Sequence, residues 1–388
     1  LNLFQLAVNT LQSRQLAFVD RFAPIYCCSA GCHILNLENK SRKFYFAHGR
    51  IADLRLHVFF IAPSGFFKSE VLYQFLDPDT GLISGSDKLG VTLEGGMTAA
   101  AFVGTVKVGP DGEATVETGM ARINERKIVG IEEFAEITNM MKQAYNVQLA
   151  DALLTALDKG WVRKRLARSG EEGIMYPTNI TLWTGSQPAR LELSSGLGRR
   201  FFMLEFIPSR KERETISKYR RLGRGVVTSP GRVRDIKLQL ESIVERAHNI
   251  QHVKFHKDFD KFLSNIGMIH YEEELFERLA LGYTVMSGKF DDTLEVYPEK
   301  ELCTIIEQGV KWRRSIKMDS EANQVVYILQ DNDNEMTISD MVLELANFGV
   351  DGRSSYQLIM NTQRTGRIQL EGDLITSKWM RKKPADNR

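Results

Sequence analysis

Two short segments carry the residue types that phosphate and water chemistry requires. Ala62-Pro63-Ser64-Gly65-Phe66-Phe67-Lys68-Ser69 follows an apolar run and precedes a helix-compatible stretch. In that setting a tight turn aims backbone N–H groups and a helix N-terminus at an anion. Lys68 would neutralise the β and γ phosphates of a nucleotide, and the Ser69 hydroxyl would hold Mg²⁺. Such loops usually carry Gly at both ends, whereas Ala62 opens this one and Phe67 precedes the lysine. Alone, the segment reads equally as an ordinary strand-to-helix turn. The second segment decides between the two. Ile128-Val129-Gly130-Ile131 is an apolar strand that ends in Glu132 and Glu133. One carboxylate, Glu132, supports Mg²⁺ through water, and the next, Glu133, polarises the attacking water as a general base. Loop and acids in this order predict a site for ATP with Mg²⁺.

These residues need a scaffold, and the pattern supplies one. Leu54 to Ile61 reads as a buried strand, Ser69 to Phe75 as a helix, and Phe102 to Val116 as a hairpin turning at Gly109-Pro110-Asp111-Gly112. Lys127 to Ile131 and Ile180 to Thr184 are further buried strands, with an amphipathic helix from Gln148 to Trp161 between them. Strands alternating with helices predict an α/β core with a mostly parallel sheet. Residues 3 to 37 are helix-compatible and carry no obvious chemistry. After Pro208 the chain reads as charged and helical through Trp312, with Pro230 and Gly231 as a break. Helix, turn, helix and hairpin over Ser339 to Ile375 is the order of a winged helix-turn-helix. The expected units are an N-terminal helical segment (1–52), an ATPase core (53–208), a helical lid or linker (209–330) and the winged helix (331–388).

Composition excludes several classes. With 43% apolar and 26% charged residues over 388 positions, disorder and fibre are ruled out. No apolar stretch approaches the ~18 residues of a membrane span, so no membrane partner is expected. Lys plus Arg is 51 against 49 acids, which rules out a basic coat but not a local basic patch. Four cysteines argue for a reducing compartment, which is expected to be the cytoplasm. Cys27, Cys28 and Cys32 cluster beside His33, but without a paired C-x-x-C they read as buried small side chains rather than a zinc site. The start at Leu1 rather than Met reads as a fragment of a longer product.

Around the two segments the chain resembles the MCM replicative helicase family. Gly96-Met97-Thr98-Ala99-Ala100-Ala101, the hairpin, Glu117-Thr118-Gly119 and Gly130-Ile131-Glu132-Glu133-Phe134-Ala135-Glu136-Ile137 correspond in order to the family's G-L-T-A-A segment, helix-2 insert, E-A-G segment and Walker B. The resemblance covers residues ~50 to ~208 well and implies an AAA+ P-loop ATPase assembled as a ring, a hexamer, with ATP between subunits. It makes Ala62 to Ser69 the Walker A loop, Gln187 the sensor 1 residue and Arg200, with Arg199 as the alternative, an arginine finger reaching a neighbour's site. Sensor 2 has no match: the arginine the family carries on its lid helix would fall near His270 or Tyr271.

The same resemblance places Trp161 to Gly173 as a hairpin projecting into the ring channel. Arg165 and Arg168, then Lys164, and Lys107 on the other hairpin, would grip the phosphates of single-stranded or forked DNA. The implied function is ATP-driven DNA translocation or unwinding in replication. Bulky Phe67 and the longer Glu132, where the family has aspartate, add the expectation of slow hydrolysis. Two rivals are a DNA-binding initiator or loader using ATP as an assembly switch, and a hydrolysis-deficient structural ring protein.

Overall fold

A strand covered on both faces reads as a mostly apolar run, and the three such runs found in the sequence become the inner strands of one sheet, where the buried His57, Thr181 and Thr184 are hydrogen-bonded. The structure, a computed structural model, describes residues 3–14, 16–38, 53–84, 89–95, 99–108, 114–132, 134, 153–158, 160–164, 174–187, 200–223, 230–266, 270–317, 325–326, 328–329, 332, 334–347, 350–364 and 366–377. Helices α1 (Leu3–Ser13) and α2 (Val19–Glu38) come first. Then follow β1 (His57–Ile61), α3 (Lys68–Leu76), β2 (Val91–Glu94), α4 (Ala99–Val103), β3 (Gly104–Val108), β4 (Ala114–Thr118), α5 (Met120–Ile123) and β5 (Ile128–Ile131). A helical stretch at 153–158, α6, leads to β6 (Trp161–Lys164), β7 (Ile174–Pro177), β8 (Thr181–Ser186) and β9 (Phe201–Glu205). Beyond lie α7 (Arg210–Leu222), α8 (Pro230–Ala247), β10 (His252–Phe255), α9 (Lys257–Ile266), α10 (His270–Ser287), β11 (Thr293–Val296) and α11 (Lys300–Lys317). The last elements are β12 (Glu335–Thr337), α12 (Ile338–Asn347), α13 (Gly352–Arg364), β13 (Ile368–Glu371) and β14 (Leu374–Ser377).

The protein is mixed α/β, built on a parallel sheet of five strands in the order β2-β5-β8-β1-β9. Side chains alternate between its faces, as the strand period of two requires. Val58, Phe60, Trp183, Phe202 and Leu204 enter one apolar layer, which α1, α2, α3 and α10 complete. Phe59, Ile61, Leu182, Phe201 and Met203 enter the other, with Phe102, Phe134, Leu153 and Leu157. The N-terminal helices are therefore part of the sheet's cover: the Tyr26 ring of α2 meets Trp183 edge-on at 4.9 Å. Cys27, Cys28 and Cys32 are buried on α2, and burial pushes the Cys27 and Cys32 thiols up to about 12. His33 is engaged elsewhere, with Thr181 Oγ1 at 2.7 Å and the Arg126 carbonyl at 3.1 Å. Cys27, Cys28 and Cys32 are thus small side chains of the core, and among the described residues no group of His, Cys, Asp and Glu is arranged to hold a metal.

Four details differ from the sequence reading. Phe102 belongs to α4 rather than to the hairpin, because Gly104, at φ +101°, separates helix from strand. Trp161 opens β6 rather than closing a helix, since the chain turns at Gly160, whose carbonyl accepts from Thr178 N–H at 2.7 Å. Pro230 is the first residue of α8, where its missing N–H costs nothing, rather than a break. The region read as wholly helical also contains β10 and β11, paired in parallel.

The C-terminal elements have their own apolar cluster, in which Met341 and Leu345 of α12 and Leu358 and Ile359 of α13 pack with Ile368 and Ile375 of the strands. Their sheet is antiparallel, in the order β12-β14-β13. Among the described residues no helix is long and apolar enough to cross a membrane.

Candidate functional site

Because β1, β5 and β8 run parallel and adjacent, their C-terminal ends share one edge of the sheet, where ligands of open α/β sheets bind. The loop 62–69 leaves β1, Glu132 follows β5 and Gln187 follows β8, so three of the expected stations meet there. Backbone bonds hold them in place. Ala62 N–H donates to the Ser186 carbonyl (3.3 Å), Phe134 N–H to that of Gly185 (3.1 Å), and the Thr184 hydroxyl to that of Ile131 (2.8 Å).

Within the loop, Phe66 N–H donates to Pro63 O at 3.3 Å, closing a turn, and α3 starts at Lys68. Gly65 adopts φ +77°, and nothing lies within 4 Å of where a Cβ would stand. The Lys68 stem runs over Gly185, whose added Cβ would lie 3.2 Å from Lys68 Cδ. Lys68 Nζ donates to the Ala62 and Pro63 carbonyls at 2.7 and 2.9 Å. Phe67, expected to obstruct the loop, does not fill it. Its backbone is left-handed, at φ 55°, and its ring is buried at 3% exposure between Phe22 and Phe206, 5.6 and 5.5 Å away. A left-handed conformation costs a non-glycine residue roughly 1–2 kcal/mol, and burial of the ring offsets it.

Glu132 is half-buried, and its Oε1 accepts from the Tyr73 hydroxyl of α3 at 2.6 Å. That hydrogen bond, with the carboxylate's charge, raises the Tyr73 pKa, so the phenol keeps its proton. Gln187 presents a different sign of a ligand site. Its Oε1 is buried and has no hydrogen-bond partner among the described residues, although a buried amide oxygen is normally satisfied. The residues present thus fit a magnesium nucleotide: a cation and an open turn for phosphate, an acid for the metal, and an unsatisfied amide for a water or phosphate oxygen.

Arg200 lies elsewhere. It precedes β9, and His57 at the start of β1 pairs with Phe201, so Arg200 sits at the opposite edge of the sheet, about 16 Å from its own loop by strand rise. It pairs there with Asp158 at 3.3 Å and is 18% exposed. Glu133, Arg199, Arg165 and Arg168 fall outside the described residues, as do the side chains of Lys107 and Lys164. The backbones of the last two are placed: β3 pairs with β4 and β6 with β7, both antiparallel, with Lys107 opposite Thr115 and Lys164 opposite Ile174.

Sequence reasoning missed the groups that brace these hairpins. Arg55 is 1% exposed; it donates to Asp53 Oδ2 at 2.6 Å and to the carbonyls of Ile180 and Ala156 at 2.8 and 3.0 Å. Burial alone would raise the Asp53 carboxyl, but Arg55, assisted by Arg278, brings it below its ordinary value. His57 Nδ1 accepts from Leu182 N–H and Nε2 donates to the Leu157 carbonyl, both at 3.0 Å, so the ring is neutral, and burial holds its pKa at about 3. Arg55 and His57 together tie the end of α6, just ahead of β6, to β1. Tyr176 of β7 then donates to the Val103 carbonyl and Thr178 to that of Ala121, each at 2.7 Å, joining the second hairpin's base to the first. No spacing rule identifies these residues, because, Asp53 beside Arg55 aside, their partners lie far away in the chain. Compared with protein-family models and with curated proteins, the chain gives no match to either.

Proposed function

We propose that the protein is an MCM-like AAA+ ATPase that couples ATP binding and hydrolysis, with Mg²⁺, to translocation along DNA or its unwinding. The observation that carries this reading is the convergence of the loop 62–69, Glu132 and the unsatisfied Gln187 oxygen at the C-terminal ends of three adjacent parallel strands. In this reading Lys68 and Ser69 hold the phosphates and Mg²⁺, Glu132 the metal, Glu133 the attacking water and Gln187 its orientation. The placement of Arg200 at the far edge supports assembly into a ring, a hexamer, since such an arginine reaches only a neighbour's nucleotide. Two hairpins with basic residues in their sequences support contact with DNA phosphates. The C-terminal module, with Arg353 and Gln357 exposed on its second helix, supports a winged helix.

One observation favours a second reading, in which ATP is an assembly switch with little hydrolysis. Arg200 is already engaged by Asp158 of its own chain and would have to leave it to act as a finger. The test is ATP turnover with and without single-stranded DNA, together with strand displacement on a forked duplex and imaging with an ATP analogue. DNA-stimulated turnover that Lys68→Ala abolishes is the expected result. Tight ATP binding without turnover would select the switch, and absence of ATP binding would remove both readings.

A further inference from the structure

We propose that Arg220 of α7 is a second cationic ligand, with Lys68, for the oligophosphate of a nucleotide at the loop 62–69. The proposal rests on the nucleotide reading above. Helix α7 buries only Ile216, so what positions it is largely polar. At its start Glu212 pairs with Arg21 of α2 at 2.7 Å, and Ser209 caps the first turn. Arg213 makes a two-pronged pair with Glu344 of α12, at 2.5 and 2.8 Å. Two turns further on, Arg220 reaches back across the chain to the nucleotide loop, and its Nη2 donates to the Gly65 carbonyl.

Arg220 is held only loosely by an acid there, at the outer limit of an ion pair. Arg220 makes a long, half-exposed ion pair with Glu70 Oε2 at 4.0 Å and remains 51% exposed. Both cations at the loop donate to carbonyls of the same turn: Arg220 to Gly65, Lys68 to Ala62 and Pro63. A hydrogen bond to an ionised phosphate oxygen is about twice as strong as one to a neutral carbonyl, so a bound oligophosphate would draw both cations from the loop. The guanidinium fork suits two phosphate oxygens at once, and the open space around Gly65 admits the ligand. Anchored by Arg213 and Glu212, α7 need not move, because the exchange requires only rotation of one exposed side chain.

The test is calorimetric titration of ATP, ADP and inorganic tripolyphosphate into the wild-type chain and the Arg220→Ala, Arg220→Gln and Arg220→Lys variants, with ligand-free melting recorded for each. Arg220→Gln keeps a donor for Gly65 and removes the charge. We expect both neutral variants to lose at least about tenfold in affinity for ATP and tripolyphosphate, with less loss for ADP and unchanged melting. Arg220→Lys should recover part of the loss. Wild-type affinity for ATP and tripolyphosphate in both neutral variants would overturn the proposal, leaving Arg220 as a cap on Gly65 and the nucleotide reading intact. A wild-type chain that binds tripolyphosphate but not ATP, with the variants weakened, would keep the two-cation clamp and remove the nucleotide reading. Binding of neither ligand would remove both.

Discussion

Tyr73 and Glu132 are joined by a 2.6 Å hydrogen bond, so the acid at the end of β5 is oriented by the helix that begins with Lys68. The candidate metal ligand and the candidate phosphate ligand thus share one rigid support. Partners of this kind typically contribute ten- to a hundredfold to metal affinity, and an exposed one less. Tyr73→Phe should raise the Mg²⁺ concentration needed for half-maximal ATP binding by about three- to tenfold, and Glu132→Gln by more. A Mg²⁺ titration that is identical in Tyr73→Phe would show that the tyrosine does not orient the acid.

Gln187 holds a buried carbonyl oxygen without a partner among the described residues, a cost of roughly 1–3 kcal/mol to the ligand-free fold. Gln187→Leu should therefore leave stability unchanged or raise it by about 1 kcal/mol, while lowering ATP turnover at least about tenfold. Urea denaturation and steady-state ATPase assays read the two effects separately. Destabilisation by the leucine would place the amide in a structural role.

Phe67 sets backbone strain against ring burial. Glycine at this position relieves roughly 1–2 kcal/mol of left-handed strain but forfeits the roughly 3–5 kcal/mol that removal of a buried Phe costs. Phe67→Gly should destabilise the protein by about 2 kcal/mol, measured as a lowered urea midpoint with an unchanged slope. A raised midpoint would mean that the strain dominates.

His33 and His57 make stability depend on pH. Burial lowers both from 6.5 to about 3, so below pH 6.5 the unfolded chain binds protons that the folded chain refuses. Each histidine then removes about 1.4 kcal/mol per pH unit as pH falls toward 3. Glu277 acts oppositely between about 7 and 4.5, because burial and the nearby Glu274, Glu273 and Asp260 raise its carboxyl to about 7. It offsets roughly one histidine. The expected profile is a maximum near pH 6.5, slightly lower stability above 7, a loss near 1.4 kcal/mol per unit from about 6.5 to 4.5, and a steeper fall below. Denaturation midpoints that do not change between pH 7.5 and 5 would contradict it.

The inner strands were legible because β1, β5 and β8 are buried on both faces and carry mostly apolar cores, such as Val58 to Ile61 and Ile128 to Ile131. Edge strand β2 left no such trace, since Val91 to Glu94 are each half-buried. The loop and its two following stations were legible because each sits directly after a strand, where spacing is informative. Tyr73, Arg55 and Arg220 were not, because what gives each its place is a contact across the chain: Arg220 is 155 positions from Gly65. Phe67 was legible as an anomaly but not in its consequence, since only the fold shows its ring turning inward to Phe22 and Phe206.

The bonds from Tyr176 and Thr178 fasten the base of the β6–β7 hairpin to that of β3–β4, while Arg55 and His57 clamp α6 to the sheet. Mechanically the two hairpins are a fork with two prongs and one root. The two bases meet at Val103 and Ala121, and α6, which leads into β6, is tied to β1, the strand that runs into the loop 62–69. Force on a polymer and occupancy of the loop would then be felt by the same piece of backbone.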